Sequence, residues 1–159
     1  MFLGVITLLW LCAIDLKLRL LPDELNALLA ILGVLFAYVA YPYAGAWYTP
    51  LLGGILGGGL LLTVRAIANR IYGFETMGLG DIKLLGAGGI WLGFEGVVLA
   101  IGVGALAGVL HGVSIWIYKG IKQSKFSNFR QMTIPAGPGF CIGLLVISVY
   151  LYHDLPLFQ

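Results

Sequence analysis

Hydrophobic residues occur along the chain in six long runs, and polar residues are gathered between the runs. Inside each run the apolar residues are continuous rather than alternating with polar ones, which favours helices over the strands of a transmembrane barrel. A helix needs about 20 mostly apolar residues to cross a membrane. The pattern therefore predicts an all-α polytopic membrane protein with six transmembrane helices in a single domain, residues 1–159. The predicted spans are 1–20, 25–41, 51–66, 77–94, 96–118 and 133–153.

Two of these runs are too short to cross a membrane unless an acidic residue is included. The charge-free part of the first span ends at Ile14, and about 14 residues at 1.5 Å each cover only two-thirds of a hydrocarbon core of about 30 Å. The fourth span has the same problem, because its apolar part is limited to residues 84–94. Asp15 and Asp81 are therefore drawn to membrane depth, where a carboxylate is costly and is a candidate functional group by default.

Composition excludes a soluble domain. The 159 residues are 60% hydrophobic and only 10% charged, with a mean hydropathy of +1.01, so too few polar side chains exist to cover a water-exposed surface.

Glycine is abundant, and the GxxxG spacings of Gly53 with Gly57 and Gly54 with Gly58 predict close packing between helices of one chain. Cys12 and Cys141 stand alone in apolar runs, so we expect buried thiols rather than a metal site or a disulfide framework.

The basic residues predict the orientation in the membrane. All nine lie in three places, whereas the connections 41–50 and 93–96 contain none. Under the positive-inside rule the three basic regions are cytoplasmic and both termini lie outside. The first span then ends, and the fourth begins, at the cytoplasmic boundary, which puts both acids at one depth. The basic residues are Lys17 and Arg19; Arg65, Arg70 and Lys83; and Lys119, Lys122, Lys125 and Arg130.

Two carboxyl groups at one depth in an apolar medium have a definite chemistry. They cannot both ionise cheaply, so one is expected to hold a proton while the other is ionised. An aspartic protease uses this arrangement to activate water and protonate the peptide carbonyl, and it requires no metal ion, serine nucleophile or cofactor. Asp81 begins its helix and Asp15 ends one, so the helix dipoles predict that Asp81 is ionised and Asp15 holds the proton.

Residues that flank the acids are candidates for shaping the site. The glycines around Asp81 permit close approach of the backbone, and residues 134–139 combine prolines and glycines in a bent helix start that lines a cavity or is simply a helix N-terminus. Lys83, two residues after Asp81, either changes the pKa of the Asp81 carboxyl group, contacts the substrate or anchors the helix at the membrane interface. The candidates are Gly78, Gly80, Lys83, Pro135, Gly137 and Pro138.

Three segments resemble the type IV prepilin peptidase family. Residues 77–93, MGLGDIKLLGAGGIWLG, are similar to its GxGD segment, and residues 15–23, DLKLRLLPD, resemble its first-aspartate segment. Residues 134–139, IPAGPG, resemble the proline-glycine start of its last span. The three segments occur in the family's order on six predicted spans, so the resemblance covers nearly the whole chain.

The resemblance implies a membrane aspartyl endopeptidase of the bacterial inner membrane. Such enzymes remove a short basic leader after a glycine, on the cytoplasmic side, from prepilins or the pseudopilins of type II secretion. Asp15 and Asp81 match the catalytic pair; membrane lipid is the other expected partner, and nucleic acid is not expected. Many members carry an N-terminal cysteine-rich zinc region and N-methylate their product, whereas this chain begins at the first span. A peptidase-only form, a shortened paralogue and a relative of the archaeal preflagellin peptidases all remain open, and no S-adenosylmethionine or other cofactor is expected.

Two other functions remain open from the residues. A small transporter or channel could use the same two carboxylates for a cation or for protons, but it predicts acids near the midplane rather than near one boundary. A non-catalytic pilin-binding paralogue is the other, and the presence of both acids argues against it. Residues 65–76 and 119–130 are the predicted cytoplasmic loops, with an interfacial helical turn as the alternative for residues 65–76. Asp23 is expected to cap the second helix, and Glu75, Asp23 or lipid headgroups are the expected electrostatic partners of a basic leader.

Overall fold

The structure, a computed structural model, describes residues 2–18, 20–44, 48–75, 77–123 and 137–153, with backbone alone at residues 2, 40–44 and 119–123. The described residues are helical or in short connections, without strands, which confirms the all-α prediction. The five helices are α1 (Phe2–Leu18), α2 (Asp23–Ala44), α3 (Thr49–Tyr72), α4 (Leu79–Gln123) and α5 (Gly137–Tyr152).

Two of the helices are long and apolar enough to cross a membrane. They are α3 and the part of α4 from Leu79 to Tyr118. Large apolar side chains of α3 such as Leu51, Ile55 and Leu62 are more than half exposed. Such a surface is costly in water and suits contact with lipid tails.

Helix α4 joins the predicted fourth and fifth spans in one element with a kink. Gly93 adopts φ 71° and ψ −175°, a left-handed conformation that favours glycine, and helix continues on both sides of it. The Tyr152 hydroxyl donates a 2.7 Å hydrogen bond to the Trp91 carbonyl oxygen beside the kink, and Phe36 stacks on the Trp91 ring. The predicted connection at residues 93–96 is therefore reduced to a change of direction at one glycine.

The loops predicted at residues 65–76 and 119–130 are wrong in their boundaries, because both segments begin as helix; in the first segment this agrees with the alternative of a helical turn. Helix α3 continues to Tyr72, because no glycine or proline interrupts it before Gly73, which ends it with φ 74° and an N–H bond to the Asn69 carbonyl. Helix α4 likewise continues to Gln123. Residues 124–136 lie outside the described residues.

Glycines set the spacing between α3 and α4. A Cβ on Gly53 would overlap the carbonyl oxygen of Gly89, and a Cβ on Gly89 would overlap that of Gly53. One turn along, a Cβ on Gly57 would overlap the Leu85 carbonyl oxygen. The backbones of the two helices are thus in direct contact, and the prediction that this GxxxG spacing packs helices within one chain is confirmed.

The second half of α4 packs against α5 in the same way. A Cβ on Gly143 would overlap the Ala100 carbonyl oxygen, and one on Gly139 would lie 2.7 Å from the Gly104 carbonyl oxygen. Nearer the start of α4, Leu144 of α5 fills the space in front of Gly88. Helix α4 is therefore the central element of the fold, in contact with α3 and α5 through glycine faces.

Helices α1 and α2 pack near the first half of α4. Trp91, at the end of this first half, lies against Gly4 of α1 and Phe36 of α2, whereas Lys83, near the beginning of α4, contacts Asp23 of α2. Helix α2 therefore runs parallel to this half of α4. The end of α1 and the starts of α2, α4 and α5 meet at one end of the bundle.

Candidate active site

Both candidate acids are buried at that end of the bundle. Asp15 lies in the last turn of α1 and is 6% exposed, and Asp81 is the third residue of α4 and is 9% exposed. Each is fixed by apolar neighbours on its helix, Leu11 one turn before Asp15 and Leu84 and Leu85 one turn after Asp81, all fully buried. Carboxyl groups this deeply buried are rare without a specific role.

Gly137, the first residue of α5, brings the two acids together. A Cβ at this position would overlap Asp15 Oδ2, lie 2.9 Å from Asp15 Cγ and lie 3.3 Å from Asp81 Oδ1. Both carboxyl groups therefore border the same small space in front of Gly137, close enough to interact electrostatically. The structure thus places at one point two side chains that are 66 residues apart in sequence.

Three helix ends act on this space. Asp81 lies in the first turn of α4 and Asp15 lies against the first residue of α5, so the positive ends of two helix dipoles face the acids. The end of α1 has the opposite effect on Asp15. The prediction that Asp15 holds the proton rests only on the helices that carry the two acids. The N-terminus of α5 favours a negative charge on Asp15 and therefore opposes that prediction.

The glycines before Asp81 have different surroundings. A Cβ on Gly78 would be in ordinary contact with Asp81 Oδ2, at 3.7 Å, so this glycine borders the site. A Cβ on Gly80 would lie 2.8 Å from Leu21 Cβ, so Gly80 lets the turn between α1 and α2 pack onto the first turn of α4. Gly78 therefore borders the Asp81 carboxyl group, whereas Gly80 permits the close packing of Leu21 on the start of α4.

Lys83 and Asp23 form an ion pair at the rim of the site. Lys83 Nζ donates to both carboxylate oxygens of Asp23 at 2.7 Å, and both side chains are largely exposed. Pro22, rather than Asp23, occupies the cap position of α2, because its carbonyl accepts the first helical N–H, from Asn26 at 3.2 Å. The predicted capping role of Asp23 is thus wrong, and its carboxylate instead joins α2 to α4.

Other predicted residues have simpler positions. Pro138 is buried in the first turn of α5, where a proline is well tolerated. Pro135 lies outside the described residues. Glu75 is paired with Arg65 at 2.9 Å, so it is not an unpaired acid for a basic leader. Cys141 is buried and Cys12 is half-buried, and no group of three metal-ligating side chains occurs among the described residues.

Asn26 is a buried polar residue that the sequence did not predict as part of the site. Its side chain is 4% exposed, and neither amide atom has a hydrogen-bond partner among the residues that the structure describes. The available indication was a single amide in the otherwise apolar run of residues 25–41. Two buried carboxyl groups that border one space, held by apolar helices, are the kind of pair that aspartic peptidases use to activate water.

Comparison with known proteins agrees with this class. The family model described as the type IV leader peptidase family matches residues 2–113, more than half of the chain. A prepilin leader peptidase/N-methyltransferase of Xanthomonas campestris pv. campestris is 35% identical over 136 residues, and one of Aeromonas salmonicida is 32% identical over 133 residues. The chain belongs to the type IV leader peptidase family.

The coverage of these relatives is unequal. The alignments include 84% and 81% of this chain but only 44% and 41% of the Xanthomonas and Aeromonas proteins. The prepilin leader peptidase/N-methyltransferase of Escherichia coli K12 is 29% identical over 154 residues, 95% of this chain and 63% of the relative. The chain thus spans less than half of the first two proteins. No solved structure matches the chain significantly.

Proposed function

We propose that the chain is an aspartyl endopeptidase that removes the short basic leader of prepilins or type II pseudopilins. The observation that carries this proposal is that the carboxyl groups of Asp15 and Asp81 border the same small space in front of Gly137. Membership of the leader peptidase family supplies the substrate class. The reaction is hydrolysis of the peptide bond after the leader's glycine.

The two buried acids would divide the chemistry between them. An ionised carboxylate takes a proton from water as the water oxygen attacks the scissile carbonyl carbon, and the protonated carboxyl donates to the carbonyl oxygen. Return of a proton to the leaving amine then completes the cleavage into an acid and an amine. The low exposure of both side chains keeps bulk water from competing with the substrate for these hydrogen bonds.

We propose that the site faces the cytoplasm of a bacterial inner membrane. The rim carries Lys83, and Lys17 lies close to Asp15 on α1, as expected for the cytoplasmic end of spans under the positive-inside rule. Counting the kinked α4 as two spans gives six in all, with both termini outside. In that orientation the acids lie at the face of the membrane where a leader is still attached to its unprocessed prepilin.

A reconstituted cleavage assay tests the proposed function. The purified protein in lipid vesicles is incubated with a prepilin whose basic leader ends in glycine, and the products are analysed by mass spectrometry. We expect a single cut after that glycine and none in a prepilin with an acidic leader. An intact prepilin would contradict the proposal, and proton or cation flux through the same vesicles would support the transporter function instead.

A further inference from the structure

Asn26 is the one buried amide side chain among the residues that the structure describes, and it has no part in the proposed proton transfers. Both Oδ1 and Nδ2 are shielded from solvent, and neither has a hydrogen-bond partner among the described residues. A buried amide without partners is costly, and native proteins keep few of them. A partner that arrives with the substrate would supply the hydrogen bonds that this amide lacks.

The packing of α2 on α4 locates this amide. Gly33 lies against Ile90 and the Trp91 nitrogen, at 3.3 Å from each to a Cβ built on the glycine. Seven residues span almost two turns, so Asn26 lies on the same face of α2 as Gly33. The two helices run parallel, so the neighbours of Asn26 on α4 lie seven residues before the neighbours of Gly33. This places Asn26 beside Lys83 and Leu84.

That position is one helical turn from the carboxyl groups. Leu84 is three residues after Asp81, so the two share a face of α4 and differ by about 4.5 Å along its axis. The Asp23–Lys83 ion pair lies on the solvent side of Asn26, one turn earlier on α2. Asn26 thus lies just inside the rim, between the ion pair and the apolar core.

A side-chain amide has the hydrogen-bonding groups of a peptide bond. Nδ2 donates to a carbonyl oxygen and Oδ1 accepts from an N–H group. A peptide that leaves water to reach the buried acids loses its own solvent hydrogen bonds and requires replacements from the protein. We propose that Asn26 binds a main-chain peptide group of the substrate next to the bond that Asp15 and Asp81 cleave. This inference rests on the proposed peptidase function.

The test compares variants of the full chain in the prepilin cleavage assay. Asn26→Leu keeps the size of the side chain and removes its polar atoms. We expect kcat/KM to fall at least tenfold, mainly through a higher KM, because the lost contact binds substrate before and during reaction. The melting temperature is expected to stay the same or rise, because a buried amide without partners has been removed.

Two further variants complete the comparison. Asn26→Ser restores one group that donates and accepts hydrogen bonds, so its kcat/KM is expected to lie between those of wild type and Asn26→Leu. Ala27→Leu adds the same side chain at the next, exposed position of α2, and we expect its kcat/KM to stay within twofold of wild type.

The outcomes separate this inference from the proposed function. A wild-type protein that cleaves nothing refutes the peptidase function itself. Normal cleavage by wild type together with an unchanged KM in Asn26→Leu overturns the role of Asn26 alone. A lower melting temperature or failure of Asn26→Leu to fold also overturns it, because the amide would then stabilise the protein without substrate.

Discussion

Replacing either acid with its amide, Asp15→Asn or Asp81→Asn, is expected to lower leader cleavage by about a thousandfold or more. Each acid performs a separate proton transfer in the proposed mechanism, and such transfers contribute about 10²–10⁴-fold each. An amide keeps the size of the side chain but neither accepts a proton from water nor gives one to the carbonyl oxygen. Both losses are measured as kcat/KM with the purified variants.

The double variant and the stability of the proteins distinguish a lost reaction from a lost fold. Because the two acids act as a unit, the kcat/KM of the double variant is expected to equal that of the less active single variant rather than to fall further. The melting temperatures should not fall, because an amide removes repulsion between two buried acids. Glu24→Gln, at an exposed acid on α2, is the matched control and should retain wild-type kcat/KM. More than a tenth of wild-type activity in either single variant would contradict the account.

Gly137→Ala is expected to lower leader cleavage by about a hundredfold. The added methyl would overlap Asp15 Oδ2 and crowd Asp81 Oδ1, so at least one carboxyl group must move. A displacement of about 1 Å in a reacting group is enough for a loss of this size. The measurements are kcat/KM and the melting temperature. Expressed as a free energy, the loss in kcat/KM should far exceed the loss in stability.

A second glycine provides the control for this substitution. Gly102 of α4 has no heavy atom within 4 Å of a built Cβ, so Gly102→Ala adds the same methyl in open space. Its activity is expected to match that of wild type, and its helix should be slightly more stable. If Gly137→Ala cleaves prepilin within twofold of wild type, the space in front of Gly137 is not where the reaction occurs.

The sequence predicted the elements of the fold well because hydropathy dominates in lipid. Continuous apolar runs indicated helices, and the shortness of two runs predicted that Asp15 and Asp81 lie at membrane depth. The spacing of Gly53 and Gly57 indicated the contact with α4 correctly, because backbones approach closely only where both faces lack side chains.

The errors concern features that depend on tertiary contacts. The predicted third span ends at residue 66, six residues before the end of α3, because a basic residue marks a membrane boundary but does not end a helix. The sequence indicated a bent helix start near Gly137 but not that both acids border the space in front of it, which only the packing of α1, α4 and α5 creates. Asn26 was missed because polarity in an apolar run does not show whether a partner is present.

Cross-linking of the two acidic positions tests most directly whether they share one pocket. Asp15→Cys and Asp81→Cys are combined in a chain with Cys12→Ser and Cys141→Ser, and a short bifunctional thiosulfonate is added to the protein in vesicles. Mass spectrometry should detect a cross-link within one chain between residues 15 and 81. A second pair, Asp15→Cys with Glu95→Cys, should not react, because residue 95 is about 20 Å along α4 from residue 81. Failure of the first pair to react, or links only between separate chains, would contradict the account.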